Sequence, residues 1–244
     1  MTPSTRDPDG IALPPPDDVG GQRTVAEEAV LYLRRLVFDG VLRQGDRVPQ
    51  DDIAAALGIS RIPVREALLT LKHEGWVTVR PRRGTFIAAI DESIVRDHYE
   101  LYGLLYGFAA RRAAARQTPE IIARLVDQRR ELLADPRPYA VWRHNRQFHT
   151  TIVELARSPR LAPLLRAMSG IIPGNFFELV PGSIDVELVG TAAILRCVER
   201  QDGEGAAAAY ADMMGRQGDL VVELFERRGL FGHGDDAPAV AAAG

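Results

Sequence analysis

The chain has 244 residues, of which 46% are hydrophobic and 26% are charged, and its formal net charge is −3. These values are typical of a globular protein with one large domain or two small ones. No apolar run approaches the ~20 residues that a membrane helix requires. The single cysteine, Cys197, excludes an internal disulfide framework. Because residues 1–22 also lack the apolar core of a secretory signal, we expect a cytoplasmic protein.

The positive charge is concentrated in one part of the chain. Residues 1–22 carry a net charge of −3, residues 23–87 carry +3, and residues 88–244 carry −3. Residues 58–87 contain six basic side chains and two acidic ones. This pattern indicates either a small nucleic-acid-binding module joined to an acidic partner domain or a solvated basic surface without a ligand.

Composition divides the chain into four segments. Residues 1–22 are acidic and Pro-rich, and they are predicted to form a disordered tail, as are residues 232–244. Short helices and a strand pair are predicted for a first domain at residues 23–88. Long helices rich in Ala, Leu and Arg are predicted for a second domain at residues 91–229.

The first domain contains three predicted helices. Apolar residues recur at helical spacing over Val25–Phe38. A second, short helix is predicted over Asp51–Leu57, after an extended piece at Arg47–Val48. Ser60 is a favourable N-cap for a third helix that runs to about Glu74.

The third helix has two distinct faces. Arg61 and Arg65 lie four residues apart, and Lys72 is nearly in line with them. Cations at a helix N-terminus are unfavourable for the helix dipole, so this face is typical of a helix that meets an external polyanion. Ser60 and the free N–H groups of the first turn could bind a phosphate there. The buried stripe is predicted at Val64, Ala67, Leu68 and Leu71.

A basic β-hairpin follows the third helix. Trp76–Val79 alternates as a strand, Arg80–Gly84 forms a basic turn, and Thr85–Ile87 returns as a second strand. Helix, turn, helix and hairpin together indicate a winged helix-turn-helix, in which a helix enters the DNA major groove and the wing contacts the backbone or a minor groove. The alternative, a helical fragment with an unrelated surface hairpin, does not account for the agreement among these features.

These residues resemble the DNA-binding domain of GntR-family transcriptional regulators. The resemblance covers residues 24–87 and rests on the run LGISRIPVREAL at 57–68 and on RRGT at 82–85. By resemblance, the third helix and the wing contact an operator, and Arg61 or Arg65 could bind a guanine edge bidentately. Asp51 departs from the pattern, because some relatives have an arginine there. The candidate DNA-binding residues are Ser60, Arg61, Ile62, Arg65, Lys72, Arg80, Arg82, Arg83 and Gly84.

The second domain is predicted to be all-helical. Its helical patterns are broken at five dipeptides, Thr118-Pro119, Asp135-Pro136, Ser158-Pro159, Pro173-Gly174 and Pro181-Gly182. The domain resembles the FCD-type effector domain of the FadR subfamily through Asn145–His149, Ser158–Leu161 and an Ala-rich last helix. This resemblance implies a small-molecule effector and a homodimer on a palindromic operator, and it favours a repressor. The predicted fold class is mainly α, with an N-terminal winged helix-turn-helix and a C-terminal bundle of about six or seven helices.

Many FCD-type domains bind a divalent metal through one Asp and three His. By spacing, these four positions correspond to Asn145, His149, Thr191 and Met213. Asn145 and His149 lie on one helix face and could share an ion, but two weak ligands do not hold a divalent metal. We therefore predict no metal and no cofactor, and we expect His149 to be a hydrogen-bonded pocket histidine.

The first helix of the second domain indicates an unusual effector. Positions that carry arginine and glutamate in the family correspond here to Tyr102 and Tyr106, and Gly103 and Gly107 lie beside them. The glycines serve either close helix packing or space for a large apolar ligand, and the aromatic segment 171–180 could line such a space. On the second interpretation the effector is lipid-like, such as a fatty acid or an acyl-CoA thioester. The candidate effector-binding residues are Tyr99, Tyr102, Tyr106, Asn145, His149, Thr191 and Met213.

Two other functional classes remain for comparison. An enzyme is not predicted, because the chain has no Gly-rich phosphate loop, no nucleophile elbow, no zinc-protease motif and no cysteine with a plausible partner. A helical protein that binds a carboxylate or metal-carboxylate ligand without specific DNA binding is the alternative function, but it leaves Arg61, Arg65, Arg82 and Arg83 unexplained. The predicted partners are thus double-stranded DNA, a small-molecule effector and a second copy of the chain, with no membrane.

Overall fold

The computed structural model describes residues 24–168 and 171–231, and the tails predicted at 1–22 and 232–244 lie outside the described residues. The chain divides into two compact units between Ile90 and Asp91. They are called the N-terminal unit and the helical unit below. None of the described helices is long and apolar enough to cross a membrane.

The N-terminal unit contains three helices and a two-stranded antiparallel sheet. They are α1 (Val25–Phe38), α2 (Gln50–Leu57), α3 (Arg61–His73), β1 (Val77–Arg80) and β2 (Gly84–Ile87). The strand register pairs Val77 with Ile87 and Arg80 with Gly84. The predicted helices and hairpin are confirmed, with ends that differ by about one residue, within the usual uncertainty of element boundaries.

Local signals explain where α1 begins and what it buries. The Thr24 hydroxyl accepts a hydrogen bond from the Glu27 N–H, and the Glu27 carboxylate accepts one from the Thr24 N–H, which together form a capping box. Leu33, Leu71 and Trp76 are almost fully buried. The core of this unit therefore lies between α1, α3 and the start of the hairpin.

Two features hold α3 in place. The buried Arg34 of α1 pairs with Glu74, the C-cap residue of α3. At the other end, Gly58 adopts the left-handed conformation, with φ of 65°, and lets the chain turn sharply between α2 and α3. Because α3 is fixed at both ends, its exposed face has a defined orientation within this unit.

The helical unit contains seven helices and no strand among its described residues. The helices are α4 (Glu92–Ala114), α5 (Pro119–Ala134), α6 (Pro138–Leu155), α7 (Leu161–Met168), α8 (Phe176–Leu179), α9 (Ser183–Glu199) and α10 (Gly203–Arg228). Each predicted break lies at a boundary between two consecutive helices, and Pro119 is the first residue of α5, where proline is tolerated. The predicted mainly-α fold class is confirmed.

The two longest helices, α4 with 23 residues and α10 with 26 residues, pack closely against each other. A Cβ atom added at Gly103 would lie 3.2 Å from the Ala211 Cα, and one added at Gly107 would lie 3.3 Å from the Ala207 carbonyl oxygen. The two glycines therefore serve close helix packing. The interpretation that they leave space for a ligand is wrong, because the backbone of α10 occupies that space.

The apolar segment before α9 is packed into the helical unit. Ile172, Phe177 and Val180 are buried, and Phe177 shares a hydrophobic cluster with Leu132 and Val141. This packing connects the segment to α5 and α6. It contributes to the core of the unit through the burial of apolar area.

Candidate functional site

The exposed face of α3 carries the predicted DNA-binding residues of this helix. Ser60, Arg61, Arg65 and Lys72 are exposed, and Ile62 is 67% exposed. The predicted buried stripe, Val64, Ala67, Leu68 and Leu71, is buried. Helical spacing thus separates a core face from a basic surface face.

Ser60 occupies the N-cap position of α3 with an extended backbone, but its side chain makes no capping hydrogen bond. The position of the helix start is confirmed, whereas the expected capping contact is not formed. The first turn of α3 contains no acidic residue. The first-turn N–H groups and the Ser60 hydroxyl are therefore available for an external acceptor such as a phosphate.

The hairpin presents a second group of cations. Arg80, Arg82 and Arg83 are exposed, and Arg82 adopts a positive φ of 62° in the turn. The Arg80 guanidinium lies 4.8 Å from the ring centroid of Phe86, a cation–π distance that restrains its position. The three arginines therefore lie at the tip of the two-stranded wing.

Arg47 is a further basic residue of this wing that sequence reasoning missed. It forms an isolated bridge to Phe86, and a Cβ atom added at Gly84 would lie 3.0 Å from its Nε. Arg47 is exposed, and Gly84 has a φ of 111°. The available signal was the extended piece at Arg47–Val48, since an extended segment must pair with a neighbouring strand to satisfy its backbone groups.

The basic side chains of α3 and of the wing differ in whether they form ion pairs. The Arg61 Nε lies 2.6 Å from the Asp51 Oδ1. Within the ranges 24–168 and 171–231, no ion pair is formed by Arg65, Lys72, Arg82 or Arg83. Cations without intramolecular partners create a positive potential that attracts a polyanion such as duplex DNA.

A buried polar cluster lies inside the helical unit. The His149 Nδ1 lies 2.8 Å from the Tyr210 hydroxyl, and the His149 Nε2 lies 2.9 Å from the Glu187 Oε1. His149 and Glu187 are 6% and 3% exposed. Both ring nitrogens of this histidine are therefore engaged by protein groups, as a buried polar side chain requires.

Sequence reasoning missed Glu187 and Tyr210. A signal for Glu187 was present, because Ser183, Glu187 and Thr191 recur every four residues along α9, and all three are buried. A polar stripe on the same face as apolar core residues indicates an internal network. Tyr210 lay in an Ala-rich helix and had no comparable signal.

Aromatic rings surround the His149 cluster. Tyr106 stacks on Tyr210 at a centroid distance of 5.2 Å, contacts His149 at 5.3 Å, and packs edge-on against Tyr102 at 5.1 Å. Burial raises the pKa of the Tyr106 and Tyr210 hydroxyls well above the usual value, and the Glu187 carboxylate adds to the shift. These phenols therefore stay protonated and can act as hydrogen-bond donors.

The remaining candidate effector residues are all located inside the helical unit, and their neighbours differ. Tyr99 is buried and packs against Phe176, with 6.5 Å between ring centroids. Asn145 precedes His149 by one turn of α6, and its Oδ1 is buried without a hydrogen-bond partner among the described residues. Thr191 and Met213 are buried in the interior of the unit. A Cβ atom added at Gly190 would overlap the Met213 sulfur, so Met213 fills the space beside that glycine.

The four positions to which the resemblance assigned metal ligands do not fit a divalent metal. His149 uses both nitrogens for Tyr210 and Glu187, and the Thr191 hydroxyl donates to the Glu187 carbonyl oxygen at 2.8 Å. Met213 supplies only a thioether, which is a poor ligand for hard and borderline cations. In the described part of the chain, no group of three or more His, Cys, Asp and Glu side chains is arranged to hold a metal ion.

Comparison with known proteins gives matches in both units. The family model for bacterial regulatory proteins of the gntR family matches residues 25–87, and the FCD domain model matches residues 97–216. An uncharacterized HTH-type transcriptional regulator of Mycobacterium tuberculosis is 36% identical over 211 residues, which cover 84% of each chain.

Two further relatives agree with these matches. The Nta operon transcriptional regulator of Aminobacter aminovorans is 32% identical over 133 residues, or 52% of this chain and 61% of that protein. The solved structure of Escherichia coli McbR/YncC has a TM-score of 0.56 at 21% identity, and the match covers 84% of this chain and 99% of that one. This structural likeness shows a shared fold.

Proposed function

Since this chain belongs to the GntR family of bacterial transcriptional regulators and carries an FCD domain, we propose that it is a ligand-responsive repressor of the FadR subfamily that acts in the cytoplasm. Its relatives are transcriptional regulators and not enzymes. A repressor role is supported by similarity, at 29% identity over 91 residues, to the HTH-type transcriptional repressor RspR of Escherichia coli.

The exposed basic face of α3 is the observation that carries this proposal. Arg65 and Lys72 have no ion-pair partner among the described residues, and the N-terminal turn of α3 contains no acid. An uncompensated basic helix face stabilises nothing within the fold, but it matches the negative charge of a DNA major groove. In this proposal α3 reads base edges, and Arg80, Arg82 and Arg83 of the wing contact phosphates or a minor groove.

Fluorescence anisotropy tests specific DNA binding. Labelled DNA from upstream of the protein's own gene is titrated at fixed salt with wild type, Arg65→Ala, and the control Arg160→Ala, which removes an exposed arginine of the helical unit. We expect wild type and the control to bind tightly and selectively, and Arg65→Ala to bind about 5- to 150-fold more weakly, the range of one bidentate base contact. Should wild type prefer neither this DNA nor any site selected from a random pool, the proposal is wrong.

The same experiment distinguishes the repressor from the second candidate function. That function is a helical protein that binds a carboxylate or metal-carboxylate ligand without specific DNA binding. That function predicts ligand affinity but equal, weak affinity for all duplexes. The basic face of α3 favours the repressor, because an assembly role gives no reason for two exposed arginines near the N-terminal end of a helix.

We propose that the repressor is a homodimer on a palindromic operator and that α4 supplies part of the dimer interface. Leu101, Leu104 and Phe108 are 52%, 61% and 39% exposed. They recur at i, i+3 and i+7, so they form one apolar stripe along the outer face of α4. An exposed stripe of this kind is typical of a helix that packs on a partner.

The charges beside this stripe are self-complementary. The acids Asp97 and Glu100 are exposed at its N-terminal end. At its C-terminal end, the Arg112 guanidinium lies 4.7 Å from the Phe108 ring centroid, and Arg111 is half exposed beside Glu204. An antiparallel two-fold pairing of α4 with its copy places the acids of each helix near the arginines of the other, as an isologous interface requires.

Light scattering after size-exclusion chromatography tests this interface. Leu104→Glu is expected to convert a dimer to a monomer, because a carboxylate would be buried in the apolar stripe. Leu133→Glu, at a 48% exposed position of α5, is the matched control and should leave the dimer intact. A wild-type monomer, or a Leu104→Glu dimer of unchanged stability to dilution, would contradict the proposed interface.

We propose that the effector is lipid-like and binds among the aromatic side chains around His149, and not beside Gly103 and Gly107, where α10 fills the space. Tyr99, Tyr102 and Tyr106 offer apolar surface with protonated hydroxyls, and Asn145 offers an unpaired carbonyl oxygen. The Glu187 carboxylate makes the local potential negative, which disfavours a free carboxylate head group. An acyl-CoA thioester, whose acyl linkage is neutral, therefore fits better than a free fatty acid.

Isothermal titration calorimetry tests the effector class. We expect an acyl-CoA to bind wild type and to change its affinity for DNA. Tyr106→Ala should bind the acyl-CoA more weakly than wild type does. The factor by which the effector changes the affinity for DNA must equal the factor by which DNA changes the affinity for the effector, since the coupling is reciprocal. Tight binding of Zn²⁺ or Ni²⁺ that His149→Ala abolishes would overturn this part of the proposal and favour a metal-chelated acid.

A further inference from the structure

Asp51 and Arg61 form an ion pair between two helices of the N-terminal unit. The Arg61 Nε lies 2.6 Å from the Asp51 Oδ1, and the two side chains are 64% and 62% exposed. An ion pair between two side chains with this exposure contributes little to folding stability, because water screens it. Its position suggests another role, since Arg61 is the first residue of the exposed α3 face.

The carboxylate contacts one particular part of the guanidinium. It lies closest to Nε, and neither terminal nitrogen of Arg61 forms a hydrogen bond among the described residues. These two nitrogens are therefore available to an external partner. Two N–H groups on one edge of an arginine match the O6 and N7 acceptors of guanine in the major groove. An arginine that is restrained in this way loses less side-chain entropy when it binds.

From this geometry we propose that Asp51 is a specificity-determining residue that orients Arg61 for guanine. Asp51 positions Arg61 rather than contacting the base itself. Its negative charge also weakens non-specific attraction between Arg61 and DNA phosphates, because the pair is close to neutral. Asp51 therefore increases discrimination at one base pair of each half-site. The inference rests on the proposed DNA-binding function of α3.

The neighbouring acid provides a matched control. Asp51 and Asp52 both lie in the first turn of α2 and are both exposed. They interact similarly with the helix dipole and with distant phosphates. Arg61 is paired with Asp51 and not with Asp52 in the described part of the chain, so Asp51→Asn removes the contact with Arg61 and Asp52→Asn retains it.

Site selection from a random DNA pool, followed by anisotropy on single-base variants of the selected site, tests the proposal with the full chain. Wild type and Asp52→Asn should prefer guanine at one position per half-site, and Arg61→Ala should lose that preference. We expect Asp51→Asn to lose about 5- to 150-fold of the discrimination at the same position, the range of one bidentate contact, while its affinity for random duplex stays the same or rises.

The outcomes separate this inference from the proposed function. If wild type selects no sequence, the proposed function fails. If wild type selects a site and Asp51→Asn behaves like Asp52→Asn, with full guanine preference, the orienting role of Asp51 is wrong and the residue acts only as a charge. If Arg61→Ala changes affinity for all sequences equally, Arg61 contacts phosphate, and the inference fails for that reason. Circular dichroism and thermal denaturation of each variant verify that the protein is folded.

Discussion

Polar side chains on the surface of α3 and in the interior of the helical unit differ in whether they have partners within the protein. On α3, Arg65 and Lys72 are exposed and have no ion-pair partner among the described residues. Around His149, each ring nitrogen has a partner within 3 Å and the acid is 3% exposed. A polar group at the surface can remain without a protein partner until a ligand binds, because water solvates it. A buried polar group must form its hydrogen bonds within the protein.

This difference predicts which property each substitution changes. At the surface, removal of a side chain should alter binding and leave stability intact. In the interior, it should alter stability first. The following four predictions test this comparison, from the largest expected effect to the smallest.

Glu187→Ala should have the largest effect. It leaves His149 buried with one nitrogen unsatisfied, which typically lowers the free energy of unfolding by about 1–3 kcal/mol, and the cavity left by the side chain adds to this loss. Urea denaturation followed by circular dichroism measures this loss. The control is Glu204→Ala, whose side chain is exposed and pairs with Arg111 at the surface. If both variants unfold at the same urea concentration, the His149 cluster does not stabilise the helical unit.

Gly107→Val tests the close packing of α4 on α10. A Cβ atom at this position lies 3.3 Å from a backbone oxygen, so a larger side chain should lower the free energy of unfolding by about 1–3 kcal/mol through overpacking. Gly215→Ala on α10 is the control, because nothing lies within 4 Å of its added Cβ. Thermal denaturation should show that Gly215→Ala is more stable than wild type by about 0.5–1 kcal/mol. A Gly107→Val variant as stable as wild type would contradict this close packing.

Arg65→Ala and Val64→Ala are adjacent substitutions on opposite faces of α3. Arg65→Ala should weaken specific DNA binding by about 1–3 kcal/mol and change the free energy of unfolding by less than about 0.5 kcal/mol. Val64, which is fully buried, should show the reverse, with about 0.5–3 kcal/mol of lost stability on truncation. Anisotropy and urea denaturation of both variants measure the two quantities. Equal losses of stability would mean that Arg65 is part of the folded core.

Arg83→Ala should have the smallest effect. We expect the affinity for all sequences to fall by a similar factor, and the slope of log K against log salt to decrease in magnitude by about 1, because one phosphate contact is lost. Titrations at several salt concentrations measure the slope, with Arg160→Ala as the unchanged control. A sequence-selective loss would instead assign Arg83 to base readout.

The sequence by itself determined the elements of both units and the exposed basic face of α3. Helical periodicity and breaks at proline and glycine are local signals, so they predicted the helices of the N-terminal unit almost to the residue and the approximate limits of most helices in the helical unit. The spacing of Arg61 and Arg65 relative to Val64 also placed them at the surface, because a helix fixes which side chains share a face.

Only the tertiary structure decided which distant side chains meet. Glu187 and Tyr210 lie 38 and 61 residues from His149 in the sequence, Arg47 reaches Gly84, and Asp51 reaches Arg61. It also decided that Gly103 and Gly107 meet the backbone of α10. Such contacts depend on how whole helices and strands pack, and the periodicity of one segment carries no information about its neighbour in space.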